Sequence, residues 1–160
     1  RGAVGRPQHL YSLTSDAPSL GLEPPMFLML ARMLLELAVD AGLGGEPVLA
    51  AGREQGRRLA HHEVLGDALD PTRRPCVDAS LSMLAELGFD PAAVTEADAT
   101  TVAFGHCPFG ELAESNPELV CALHRGLMEG FAGEIGGASV VDFHDLSHRE
   151  PCRATLVPDR

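Results

Sequence analysis

Apolar positions along this chain follow a helical rhythm in the first half and a mixed rhythm in the second. Over 24–43 they run almost without interruption: Met26, Phe27, Leu28, Met29, Leu30, Met33, Leu34, Leu35, Leu37 and Val39. A helix with almost no polar face is buried on all sides, and Gly42, Gly44 and Gly45 end it. In a chain of this size we expect such a helix to form a dimer interface; the alternative is a central core helix. A second, more polar helix is expected over 46–65, with Arg53, Glu54, Arg57 and Arg58 outward and His61 and His62 as exposed end residues. A third is expected over 75–88, with Val77, Leu81, Leu84 and Leu87 on one stripe and Gly88 as C-cap. Cys76, at its start, reads as a structural thiol.

From Phe89 the pattern changes. GFDP reads as a turn, and β-branched runs predict strands over 100–104, 138–143 and 152–157. Between the first two lies a helix over 117–133, started by Asn116, Pro117 and Glu118. Its expected core stripe is Leu119, Leu123, Leu127, Phe131 and Ile135. The fold class is therefore α+β: N-terminal helices, one of a dimerisation type, followed by a small antiparallel sheet with one packed helix. The segment over 15–25, rich in Pro, Ser and Gly, reads as a linker.

Composition narrows the function classes. One domain suffices for 160 residues, and a chain of this length buries enough surface for a core without staples. A net charge of −11 speaks against nucleic-acid binding by these residues alone. The apolar run over 26–39 is too short to span a bilayer, and the first residues lack the apolar core of a signal peptide. Four cysteines without such a signal suit a reducing, cytoplasmic setting and metal or redox chemistry rather than disulfides.

The cysteines then draw the eye to 102–125. On the helical wheel Cys121 falls away from the expected stripe, and His124, about 60° from it, shares its face. Cys107 sits at a strand end before Pro108, and Cys152 follows Pro151. No C-x-x-C knuckle is present, so any joint site is assembled from a strand end, a helix face and a second strand start. Three thiolates with one imidazole complete a tetrahedral zinc set, and three thiolates with another ligand can hold an iron–sulfur cluster. We expect Cys107, Cys121, Cys152 and His124 to form such a site. Separate buried or surface thiols are the plainer alternative. A thiol enzyme using Cys121 and His124 lacks an oxyanion-hole signature, so the expectation is a protein that is not an enzyme. His144 and His148, with Asp142 and Asp145, read as a solvated loop.

Two stretches carry a resemblance to a known family. GRPQHLYSLT resembles the wing of a winged helix-turn-helix domain of the ArsR type. HCPF, PELVCALH and a late PC before an apolar strand resemble the sensor half of iron–sulfur repressors of the Suf-operon regulator type. That resemblance implies a wing remnant over 1–14 and a sensor and dimerisation domain over 26–160. It further implies cluster ligation by Cys107, Cys121 and Cys152, a homodimer, and DNA contact only through a winged-helix domain absent from this chain. A domain binding a small organic molecule, with incidental cysteines, is the competing expectation.

Overall fold

The computed structural model describes residues 25–67, 76–146 and 151–159. The expectations for the wing remnant over 1–14, for the linker up to residue 24, and for His148 lie outside the described residues, as does the side chain of His62. The element order is α1 (Pro25–Asp40), α2 (Gly45–Asp67), α3 (Cys76–Glu86), β1 (Pro91–Glu96), β2 (Ala99–Phe104), α4 (Gly110–Ser115), α5 (Pro117–Ile135), β3 (Ala138–His144) and β4 (Arg153–Pro158). The chain is α+β, as its patterning predicts. The strands form one antiparallel sheet in the order β1-β2-β4-β3.

Helix α5 is the central element, and glycine explains one of its two buried faces. Gly52 and Gly56 of α2 meet Gly126 and Gly130 of α5 so closely that a Cβ on any of the four would overlap a carbonyl oxygen of the facing helix. Only glycine permits that approach of backbone to backbone. The Arg53 guanidinium donates across the same contact to Glu129 at 2.8 Å, and Arg125, one turn before it, donates to Glu129 at 2.7 Å. The other face of α5 lays Met128, Phe131 and Ile135 in the core with Val102, Phe104, Ala154 and Leu156 of β2 and β4. Strand β2 alternates strictly, burying Thr100, Val102 and Phe104, which is the period-two signature of a half-covered sheet.

Several local expectations change in the folded chain. Helix α3 buries Cys76, Ala79, Ser80, Met83 and Leu84, a stripe rotated from the expected one, with Leu87 left 38% exposed. Gly88, at φ 86°, does cap it, and Phe89 N–H reaches back to the Leu84 carbonyl at 3.0 Å. Two further elements, β1 and α4, form where no strand or helix is expected. Among the described residues no helix is long and apolar enough to cross a membrane.

The expected stripe of α5 is also corrected. Leu123 is 38% exposed, whereas Cys121 and His124, placed off the core by the wheel, are only 8% and 6% exposed. A wheel assumes one apolar face. Here the opposite side of α5 is buried as well: Cys121 and His124 continue the face of Met128, Phe131 and Ile135, which lies in the core with β2 and β4.

Candidate functional site

The chain turns sharply after β2, and three backbone hydrogen bonds fix the corner. Phe104 N–H donates to the Cys152 carbonyl, Gly105 N–H to Asp90 and His106 N–H to Phe89, all at 3.0–3.1 Å. A side chain at Gly105 would press on the Asp90 carboxylate. The corner is thereby pinned to the start of β4 on one side and to the entry of β1 on the other. Gly110 N–H then closes a turn on the Cys107 carbonyl at 3.0 Å, and α4 begins.

Beneath this corner lies a half-enclosed cavity of about 210 Å³. Phe89, Phe104, Phe109 and Phe143 supply aromatic walls, Ala113, Val120 and Leu146 aliphatic ones, and His124 one side. Cys107, Cys121 and Cys152 line the same space, with His106, Asp145 and Pro151 beside them. The four residues singled out in the sequence therefore meet at one cavity. They meet there as parts of a wall.

His124 is the unusual member. Its ring stacks on Phe89, with centroids 4.1 Å apart and planes 21° apart. It meets Phe143 edge-on at 5.2 Å, with Phe104 at 4.8 Å and Phe109 at 6.1 Å. Its Nε2 is buried with no hydrogen-bond partner among the described residues, although buried polar atoms almost always find one. Burial pushes its pKa down to about 3, so the imidazole is neutral at physiological pH.

Burial also raises the pKa values of the Cys121 and Cys152 thiols, and the nearby Asp145 and the neighbouring thiols add to the effect. A neutral imidazole beside a protonated thiol is the opposite of the activated pair that thiol catalysis needs. Cys76 lies elsewhere, with Sγ within 3.7 Å of the Ala132 carbonyl; it is a core thiol, as expected. His61 faces Glu134 at 3.4 Å, and His144 pairs with Asp142 at 2.9 Å.

No family model matches the chain, and no curated protein matches it. Solved structures do resemble it. One is the crystal structure of a trafficking protein particle complex subunit 3 from Naegleria fowleri covalently bound to palmitic acid. It matches with a TM-score of 0.50 and 12% sequence identity, over 85% of this chain and 92% of that one. At that identity the likeness is one of fold. Fold and site together describe an α+β domain with an aromatic-walled cavity under its β2–α4 corner, similar in fold to that subunit.

This overturns the resemblance to ArsR-like and Suf-type repressors. The folded chain matches a trafficking subunit over 85% of its length, and the short sequence matches rest on turn and cysteine motifs that do not specify a fold. The transcriptional-regulator, DNA-binding and iron–sulfur or zinc expectations go with it. Among the described residues no group of three or more His, Cys, Asp or Glu side chains is disposed to hold a metal. Cys107, Cys121 and Cys152 border an apolar space, and His124 is packed among phenylalanine rings.

The residues that sequence reasoning missed are Phe89, Phe109, Phe143 and Ala113. Their signal was faint: Phe89 precedes β1, Phe143 lies near the end of β3 and Phe109 follows the Cys-Pro corner, but no local period ties them together.

Proposed function

We propose that this chain is a binding module for an apolar ligand, and not an enzyme. The observation that carries the reading is the cavity, half-enclosed, walled by four phenylalanines and placed between α5, α4 and the sheet. Ligand sites are concave, mostly apolar and furnished with a few polar groups, and this one has that make-up. The trafficking subunit of similar fold was crystallised covalently bound to palmitic acid, which supplies a precedent for an apolar guest in this architecture. Four free thiols suit a reducing cytoplasm.

The second part of the reading concerns assembly. Helix α1 exposes Met26, Phe27, Leu28, Met29, Leu30, Met33, Leu34 and Leu37, each 44% or more. Contiguous apolar surface of this kind marks an interaction face. Within Pro25–Asp40 the ionisable side chains are Arg32, Glu36 and Asp40, so two copies of this acidic chain could meet there without apposing their main negative surfaces. A second copy is accordingly the occupant we assign to α1.

Titration with toluene tests the cavity. Binding should saturate and raise the melting temperature with ligand concentration, as any ligand selective for the folded state does. Replacing Ala113, buried at the cavity wall, by Leu should weaken it. Toluene that neither saturates nor stabilises would remove the reading.

A further inference from the structure

The polar content of the cavity says more than its size. His124 is more than nine-tenths buried, lines the cavity, and has an Nε2 with no hydrogen-bond partner among the described residues. A buried polar atom left unmet is costly, and an arriving partner recovers that cost. We propose that the cavity takes a neutral, compact ring compound bearing one hydroxyl, and that this hydroxyl supplies the hydrogen bond His124 Nε2 lacks. The inference rests on the reading above, that the cavity binds an apolar ligand, and specifies which kind.

Volume sets the compactness. A cavity of roughly 150 Å³ holds a benzene ring, so 210 Å³ accommodates one ring with a short substituent. A palmitoyl chain has well over twice the carbons of benzene and does not fit within that space. The faces and edges of Phe89, Phe104 and Phe143 surround the His124 ring, and flat aromatic guests pack well against such walls.

Charge sets the neutrality. The described lining includes Asp145 and neither arginine nor lysine, so among the described residues a carboxylate head would meet a like charge and no such cation. The hydroxyl follows from the chemistry of neutral imidazole. Nε2 carries either the N–H or the lone pair, according to tautomer. A hydroxyl both donates and accepts and satisfies either form, whereas a carbonyl or an ammonium group satisfies one.

Calorimetric titration of the full chain with benzyl alcohol, toluene and benzoate tests this. Benzyl alcohol should bind roughly tenfold more tightly than toluene, the scale of one recovered buried hydrogen bond, and benzoate more weakly than either. In His124→Leu the advantage of the alcohol should vanish while toluene still binds, and His124→Gln should restore part of it. Equal affinities for benzyl alcohol and toluene in the unaltered chain would overturn the hydroxyl assignment and leave the apolar site standing. Benzoate binding most tightly would overturn it as well. If none of the three binds, the apolar-site reading itself falls. Should His124→Leu not fold, the three-probe comparison on the unaltered chain decides the matter.

Discussion

His124 sits where neutral is the only comfortable state. Its folded pKa of about 3 lies below the ordinary 6.5, so on acidification the unfolded chain takes up this proton first. The contribution of the group to stability is therefore complete above pH 6.5 and is lost progressively as pH falls toward 3. Over that window it amounts to on the order of 5 kcal/mol. Urea midpoints at pH 7 and pH 4.5 check it: the unaltered chain should lose stability more steeply than His124→Leu. His106, Asp145 and the three thiols also face the cavity, but they remain in both proteins, so the difference between them isolates His124. The same burial keeps Cys121 and Cys152 as thiols. Iodoacetamide at pH 7 should modify them slowly and speed up steeply with rising pH, while rapid selective alkylation of Cys121 would point to an activated thiol. The sequence did place Cys107, Cys121, Cys152 and His124 in one region, because a Cys-Pro corner, a helix start and a Pro-Cys strand start are all local features. Their chemistry was not legible. Whether a thiol ligates a metal or lines a wall depends on rings from Phe89, Phe104 and Phe143, which only the tertiary fold brings up to them.

At the scale of elements, α5 shows how a good helix assignment can carry a wrong face. Asn116, Pro117 and Glu118 marked its start, and Pro117–Ile135 extends the expected 117–133 by two residues. The wheel centred its core on Leu123 and Leu127 because leucines dominate any apolar count, whereas glycines contribute nothing to one. Yet Gly126 and Gly130 are what α2 packs against. Gly126→Ala should accordingly cost about 3 kcal/mol or prevent folding, at the upper end of overpacking penalties, although alanine is the better helix former. A chemical melt checks this, and a neutral or stabilised Gly126→Ala would deny the close crossing. Strand β1 was invisible for a different reason. PAAVTE is exposed at five of six positions, so its pairing with β2, Pro91 opposite Phe104 through Glu96 opposite Ala99, creates the strand and no burial pattern announces it. The connecting turn holds Ala97 at φ 51°, a left-handed conformation that costs an alanine roughly 1 kcal/mol. Ala97→Gly should therefore stabilise the protein by about 0.5–1 kcal/mol, readable as a higher urea midpoint.

For the whole molecule, the open question in the sequence was what an all-round apolar helix does in a small domain. Burial at the centre of the core was one answer, and the folded chain sets it aside: α1 lies at the surface. Arg32 reaches Glu111 of α4, and Leu35, Ala38 and Leu43 face Val48, Ala51, Leu119 and Leu123 across a shallow groove. Most of its remaining apolar side chains stay exposed. Sedimentation should find a dimer that dissociates on dilution, and Leu30→Glu with Leu34→Glu should yield a monomer with unchanged helix content; a monomeric unaltered chain at high concentration would contradict the second-copy assignment. Both this groove, about 250 Å³, and the aromatic cavity could attract an apolar probe, so the decisive observation is positional. A crystal soaked in bromobenzene should show the anomalous bromine signal between Phe89, Phe143 and His124. Signal confined to the α1 groove, or absent from the aromatic cavity at saturating probe, would contradict a ligand site there.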